Sequence, residues 1–431
     1  MKTMQEGASM ILTGADAIRY IEDRKGMKSD FAHVQQLFEN HGNFQRSLRV
    51  IHVAGTDGKG STVNFLRSIL QAAGYRVGTF TSPYLEVHND RIRINDVFIP
   101  DEDLVRLVQT YQEEFDEGRY SFFEVDTFLA LRYFYEQQVD VAIVEVGMGG
   151  RLDATNVVTP MVSVITNIGW DHMQYLGDTI EKIAWEKAGI IKPGVPCVIG
   201  YAMVETAKQV IQQRASALQA PFLESLAPQG SRGQGDGLLF EYHNESYFIQ
   251  SAALYQIENA TLALSVAAIL HDQQLLTLPH ASRVQGLQQA HWKGRFERML
   301  TKPITYIDGA HNAHGMAALL ETLQRFQAMG QSLTIVFTAL KDKDTDGMME
   351  QLLRLNVPIR VTQFDFDRAK TAWDIADHYP VKICPDWQCC IQEVLQEAQQ
   401  KNQVVIITGS LYFITLAREY LLRIKDVSSD D

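Results

Sequence analysis

From Leu48 onward, short β-rich apolar runs alternate with amphipathic stretches, and this alternation constrains the fold more than any other feature. It is the mark of parallel α/β sheets, in which each strand is followed by a crossover helix. The run 48–54 ("LRVIHVA") reads as a buried strand, as do 76–82, 139–147 and 162–169. Between them, 59–74, 100–115 and 124–138 read as helices, giving one doubly wound sheet. In 59–74 the apolar residues Val63, Leu66, Ile69, Leu70 and Ala73 fall on one helical face, and Gly74 is placed to cap the end.

Further along, "PQGSRGQGDG" (228–237) reads as a surface loop or mobile turn, and "LLFEYHNESYFIQ" as a hairpin turning at His243-Asn244. A helix around 256–270 follows. A second strand–helix series then begins, with strands at 304–310, 332–340, 358–366 and 404–410. At 431 residues and 46% apolar content the chain fits two globular domains, with a boundary placed at 298/299. No repeat, low-complexity tract or heptad run interrupts this organisation.

Composition removes several classes of function. A formal net charge of −13 argues against nucleic acid as a partner, because phosphate backbones require a broad basic face. No run of about 18 uncharged apolar residues suggests a membrane span, and the N-terminus carries no leader-like apolar core, so the cytoplasm is the expected location. Four cysteines (Cys197, Cys384, Cys389 and Cys390) without a CxxC pair indicate reduced thiols.

The strand 48–54 runs into "VAGTDGKGST" (53–62). This stretch fails the standard Walker A pattern, since Val53 occupies the first glycine position and Gly60 separates Lys59 from Ser61 and Thr62. Its chemistry is nonetheless that of a phosphate cradle. Gly55, Gly58 and Gly60 let backbone N–H groups approach an anion at a helix N-terminus, Lys59 adds a cation, and Ser61 or Thr62 offers an oxygen to a metal. The alternative is a tight strand-to-helix turn with a solvated lysine.

"VEVGMGGRLDATN" (144–156) places Glu145 at the end of an apolar strand, the edge where open α/β sheets bind ligands. Such a carboxylate calls for a metal, a cation or the N–H groups of the following glycines. Arg151 and Asp153 can pair with each other. "TNIGWDHMQYLG" (166–177) brings Asp171 and His172 to the same edge. Lys187 lies between apolar residues on a helix, where the plain reading is a snorkelling side chain. Asp308 and His311 follow a strand of the second series.

As a set, these motifs resemble the folylpolyglutamate synthase and dihydrofolate synthase family, ATP-dependent amide ligases related to the muramyl ligases. The resemblance runs from "HGNFQ" at Gly42 to "ITGSLYFI" at 407–414. It includes the shortened G-T-x-G-K-G-S loop, "TSPYL", "NDRIRIN", "SFFEVDT", "TNIGWDH", "EKAGIIKPG", "YQIENA", "GRFE", "IDGAHNAHG" and "LKDKD". It implies an α/β fold with an N-terminal doubly wound P-loop ATPase domain (1–298), which also carries the folate site, and a smaller Rossmann-like C-terminal domain (299–431).

The implied activity is addition of L-glutamate to a folate, to dihydropteroate, or to both. It would pass through an acyl phosphate and release ADP and phosphate. Residues Gly55, Thr56, Asp57, Gly58, Lys59, Gly60, Ser61 and Thr62 would hold the ATP phosphates. Gln256 and Asn259 would approach the adenine, while Arg295, Asp308 and His311 would reach ATP from the second domain. Ser82, Glu145 and His172 would be Mg²⁺ ligands, with Ser61 as a further candidate, and Lys187 as a carbamate would help hold the second of two Mg²⁺ ions. Lys59, His172 and Lys187 would carry the catalytic roles. Phe123, Glu124, Arg151 and Asp153 lie in segments tied to the pterin-bearing substrate. A monomer is implied.

Asp57 stands where the family commonly has Asn, Ala313 and Phe44 replace prolines, and Tyr255 stands where His is common. Two other readings compete. A muramyl ligase would carry a separate N-terminal nucleotide domain, and 54 residues ahead of Gly55 are too few for one. A catalytically silent nucleotide-binding protein is the other, and Asp57, an anion beside phosphates, is the feature that favours it.

Overall fold

The computed structural model describes residues 11–27 and 30–429. The reading of the N-terminus rests largely on residues 1–10, which lie outside the described residues. The first sheet contains eight strands: β1 (Val50–Ala54), β2 (Val77–Phe80), β3 (Ile92–Ile94), β4 (Val97–Phe98), β5 (Val141–Glu145), β6 (Val162–Ile165), β7 (Cys197–Ile199) and β8 (Phe222–Glu224). Their spatial order is β4-β3-β2-β5-β1-β6-β7-β8. The six strands from β2 to β8 in that order are parallel, while β3 and β4 add an antiparallel edge.

This order positions the site. β1 is central and buried at all five residues, including His52, whose Nε2 lies 2.9 Å from Thr155 Oγ1. Val53 on β1 lies opposite Glu145 on β5, Ala54 lies opposite Ile165 on β6, and Phe80 on β2 lies opposite Val144. The segments leaving β2, β5, β1 and β6 therefore emerge side by side at one sheet edge, although they are far apart in the chain.

The helix after β1, Lys59–Ala72, differs from the one-faced expectation, because Ser61 through Leu70 are all buried. The sheet takes one side of it, and helices Tyr255–Asp272 and His280–Gln289 cover the other. Gly286 permits that cover, since a Cβ there would sit 2.4 Å from the Cα of Ile69. Gly74 does follow the helix end, with φ +90°, and donates to the carbonyl of Gln71. On the opposite face, Phe128 centres a cluster with Phe38, Phe44, Tyr111 and Phe115, at ring separations of 4.9–5.7 Å. Each such buried ring contributes roughly 1.5–3 kcal/mol of transfer free energy.

A three-stranded sheet follows, made of β9 (Ser231–Gln234), β10 (Gly237–Tyr242) and β11 (Glu245–Ile249). The hairpin turns at His243 and Asn244, both with positive φ, as the two-residue turn demands. The stretch 228–237 is more ordered than a surface loop. Four of its residues form the exposed edge strand β9, and a second tight turn at Gly235-Asp236 pairs it with β10. Its polar composition hid a strand held by backbone ladder bonds alone.

The last sheet comprises β12 (Glu297–Thr301), β13 (Ile304–Asp308), β14 (Ser332–Phe337), β15 (Ile359–Gln363), β16 (Lys382–Asp386) and β17 (Gln403–Thr408), in the order β12-β13-β17-β14-β15-β16. Only β12 is antiparallel to its neighbour. The architecture is thus α/β, a doubly wound sheet followed by a smaller mainly parallel one. Among the described residues no helix is long and apolar enough to cross a membrane.

Candidate active site

The turn from β1 to its helix is shaped by two glycines. Gly55 has φ +150°, and a Cβ on it would lie 1.8 Å from Thr166 Oγ1; Gly58 has φ +78°, and a Cβ would lie 2.2 Å from Asn259 Oδ1. Neither position accepts a side chain. Gly58 is the N-cap and no side chain caps the helix, so its first-turn N–H groups point into the cleft as an anion site. The loop is braced from the β6 side: Thr56 N donates to the Asn167 carbonyl, Asp57 N to Asn167 Oδ1 at 2.9 Å, and Thr166 Oγ1 to the Asp57 carbonyl at 2.5 Å.

Two lysines close on this loop. Lys59 Nζ donates to the carbonyls of Gly55 and Thr56 at 3.1 and 3.0 Å. Lys187 Nζ donates to the Gly55 carbonyl at 2.8 Å. Lys187 is 5% exposed, so the snorkelling reading is overturned. Burial, reinforced by the charge of Lys59, pushes its amine down to about 7.

Glu145 is buried at the mouth of β5, and its Oε2 accepts from Ser82 N at 3.2 Å. Burial pushes its carboxyl up to about 7, against the lowering influence of Lys59 and the Ser82 N–H. The glycine turn that follows serves Asp153 instead: Met148 N donates to Asp153 Oδ2 at 2.9 Å, and Thr155 N and Oγ1 to Oδ1. Arg151 does not pair with Asp153. It pairs with Glu186 at 2.9 Å on the surface. His172 starts a short helix with φ +50°, and burial pushes its imidazole down to about 4.

The second large sheet, β12–β17, supplies the facing wall. Asp308, at the end of β13, accepts from Tyr255 Oη, Phe296 N and Ala310 N. His311 Nδ1 donates to the Gly309 carbonyl at 2.8 Å. Residues Gly55–Ser61, Ser82, Glu145, His172, Lys187, Asn259, Arg295, Asp308 and His311 line one cleft. Gln256 lines an adjoining cavity beside Arg295, its Nε2 3.2 Å from Ser61 Oγ. Phe123 and Asp153 line a third, which shares Ser82, His172 and His311 with the main cleft.

Three expected residues lie elsewhere. Thr62 is wholly buried in the helix. Arg151 lies outside the three cavities. Glu124 caps its own helix: its oxygens accept from Ser121 N at 2.6 Å and Asp30 N at 2.9 Å, a capping box followed by a tertiary bond.

Sequence reasoning missed the bonds across the cleft. Asp57 meets His314 Nδ1 at 2.7 Å and Asn312 Nδ2 at 3.2 Å, and Asp171 meets Lys343 Nζ at 2.7 Å. His314 and Lys343 fall within "HNAHG" and "LKDKD", but nothing local indicates their partners. The three-residue capping pattern "SFFE" could have revealed Glu124 as a cap.

For a divalent metal the donor set fits in part. A buried carboxylate at Glu145, with a hydroxyl and an imidazole in the same cleft, suits a hard cation. Among the described residues no group of three His, Cys, Asp or Glu side chains is arranged to hold one alone. Water and phosphate oxygens would have to complete the shell.

The glycine loop after a central strand, facing a second α/β sheet across a lysine-lined cleft, defines a Mur-type ligase. Residues 53–267 match the Mur ligase middle domain, and residues 294–411 match the Mur ligase glutamate ligase domain. The dihydrofolate synthase/folylpolyglutamate synthase of Bacillus subtilis is 40% identical over 428 residues, covering 94% of this chain and 98% of that protein. Folylpolyglutamate synthase of Mycobacterium tuberculosis, solved with ADP, superimposes with a TM-score of 0.85 at 29% identity, covering 95% of this chain and 98% of that one. A structure described as an FPGS–AMPPCP–folate complex matches at 0.83 and 31%, over 95% of this chain and 100% of that one. The chain belongs to the folylpolyglutamate synthase/dihydrofolate synthase family.

Proposed function

We propose that this protein is an ATP-dependent amide ligase that joins L-glutamate to a folate or to dihydropteroate. The observation that carries the reading is the convergence, in one cleft, of the Lys59 loop, Glu145 and Lys187 with Arg295, just ahead of β12, and with Asp308 and His311 at and beyond the end of β13.

A carboxylate is a poor acyl donor because oxide is a poor leaving group. Transfer of the γ-phosphoryl of ATP to a substrate carboxylate oxygen forms an acyl phosphate and ADP. The glutamate amine then attacks the carbonyl carbon, the C–O bond to phosphate breaks, and the amine loses a proton. Lys59 and the N–H groups of the loop would neutralise charge on the transferring group, a task of positioning and electrostatics. Arg295 and His311 would orient the nucleotide from the opposite wall and exclude water from the acyl phosphate.

Bound Mg²⁺ would supply charge neutralisation on phosphate oxygens, with Ser82, Glu145 and His172 as its protein ligands. Lys187 has the burial and the lowered basicity of an amine able to take up CO₂. The carbamate N–C bond forms as the amine loses a proton, converting a cation into a carboxylate-like group for a second metal. The third cavity, with Phe122, Phe123 and Asp153, would seat the pteridine. Division into units 1–298 and 299–431, a monomeric state and a cytoplasmic location complete the proposal.

The test is ADP release with Mg²⁺-ATP and glutamate, comparing dihydropteroate, tetrahydrofolate and a cell-wall precursor, with mass spectrometry of the products. The expected result is the mass of one glutamate residue added to a pteridine. No product with either pteridine would overturn the reading.

A further inference from the structure

Asp57 sets a carboxylate in the loop whose N–H groups form the anion site. Unopposed, that charge would repel a polyphosphate at close range, in a part of the molecule where solvent screening is weak. The structure opposes it from across the cleft. Asp57 Oδ2 lies 2.7 Å from Nδ1 of His314, and Oδ1 accepts from Asn312 Nδ2 at 3.2 Å. Both partners come from the turn and helix start that follow β13 in the second sheet. His314 is itself held in place, since its ring packs against Gly169, where a Cβ would lie 2.8 Å from its Cγ. The pair joins two segments 257 residues apart.

We propose that His314 is a positioning residue for the nucleotide. As an imidazolium paired with Asp57, it cancels the acid of the phosphate loop, so that the loop accepts a polyphosphate only with the second sheet's segment docked on it. The inference rests on the ATP-ligase reading above and concerns a charge pair that the reading does not require.

The surroundings support the ionic form. The Asp57 hydrogen bond raises the His314 imidazole against the opposing influence of burial, and Glu258 adds to the rise. Burial would raise Asp57, but the bond and charge of His314, with the charges of His311 and Lys59, bring it below the ordinary carboxylate value. Lys187, Tyr255 and Glu258 also face Asp57 in the cleft. Of the groups around Asp57, only His314 and Asn312 bond its carboxylate from the second sheet's side among the described residues. A lone imidazolium or a lone carboxylate at this place would each change the charge of the anion site by one unit, whereas the pair leaves it unchanged.

The experiment is calorimetric titration of Mg²⁺-ATP into the full chain and its His314→Ala, Asp57→Asn and Asp57→Asn/His314→Ala variants, with thermal melts of each. His314→Ala should weaken ATP binding about tenfold or more. Adding Asp57→Asn should restore it to within about threefold of the parent, because the charge that needed cancelling is gone. Asp57→Asn alone should bind at least as tightly as the parent. A role of His314 in packing would not be rescued by removing a charge. If His314→Ala does not fold, His314→Gln, which keeps a donor without the charge, should show the same loss and the same rescue. Unchanged affinity in the single His314 variant, or no rescue in the double variant, overturns the proposal. A parent chain that binds no Mg²⁺-ATP overturns the ligase reading together with it.

Discussion

Lys187 Nζ donates to the carbonyl of Gly55 at 2.8 Å, which ties the helix Ile180–Ala188 to the phosphate loop of a strand 132 residues earlier. The amine is held near neutrality by burial and by Lys59. Lys187→Arg keeps a cation but cannot form the carbamate. It is expected to lower kcat by about 100-fold with the fold retained by circular dichroism. Parent activity should also fall in CO₂-depleted buffer and return with bicarbonate. An arginine variant with parental turnover would remove the carbamate from the mechanism.

Lys59 tests the loop itself. Its ammonium bridges the carbonyls of Gly55 and Thr56 and lies where phosphate charge would accumulate. Lys59→Ala should lower ATP turnover by about 10³-fold. Turnover near the parental rate would show that the loop does not hold the reacting nucleotide.

Glu145 and His172 bear on the metal. Either Glu145→Gln or His172→Ala should raise the Mg²⁺ concentration needed for half-maximal ADP release by about tenfold or more. A Mg²⁺ titration of each variant decides this, and an unshifted curve would take that residue out of the metal site.

Glu124 separates a structural role from a substrate role. Its oxygens satisfy the backbone N–H groups of Ser121 and Asp30. Glu124→Ala should therefore cost about 1–2 kcal/mol of stability in urea titration. The folate KM should stay within about twofold of the parent, since Glu124 lines none of the three cavities. A large rise in KM at unchanged stability would return Glu124 to the substrate site.

His88 predicts a pH dependence of stability. Its ring is buried between Asp126, at 2.9 Å, and Glu22, at 3.4 Å. Burial would lower its basicity, but Asp126 and Glu22 outweigh that and raise it to about 9. The folded state thus holds a proton that the unfolded state releases at about 6.5. The resulting stability is present in full below about pH 6.5 and is lost as pH rises through 9, an effect on the order of 3 kcal/mol. The difference in urea midpoint between parent and His88→Ala should shrink from pH 6 to pH 10; a constant difference would refute the assignment.

Much of the first sheet was legible because its strands are apolar runs followed by helices of regular period. The strands 50–54, 77–80, 141–145 and 162–165 all fall within the expected runs. The short or polar strands were not legible. β7 has three residues and β4 has two, too few to show a period, and β9 is exposed along its whole length. The single-faced reading of helix Lys59–Ala72 failed for a related reason: one helix's periodicity cannot reveal a second layer that covers its far side.

Within the site, the sequence alone determined which chemistries stand at the strand ends: the glycine loop with Lys59, the carboxylate of Glu145 and the imidazole of His172. That follows from local rules, because a loop after a buried parallel strand must emerge at the sheet edge. Tertiary structure alone decided the partners. It sent Arg151 to Glu186, buried Lys187 on Gly55, and set His314 against Asp57. Those outcomes depend on strand order and on the docking of one sheet against the other, which bring together charges separated by up to 257 residues. Coulombic and hydrogen-bond energies depend on distance in space, and distance along the chain does not fix it.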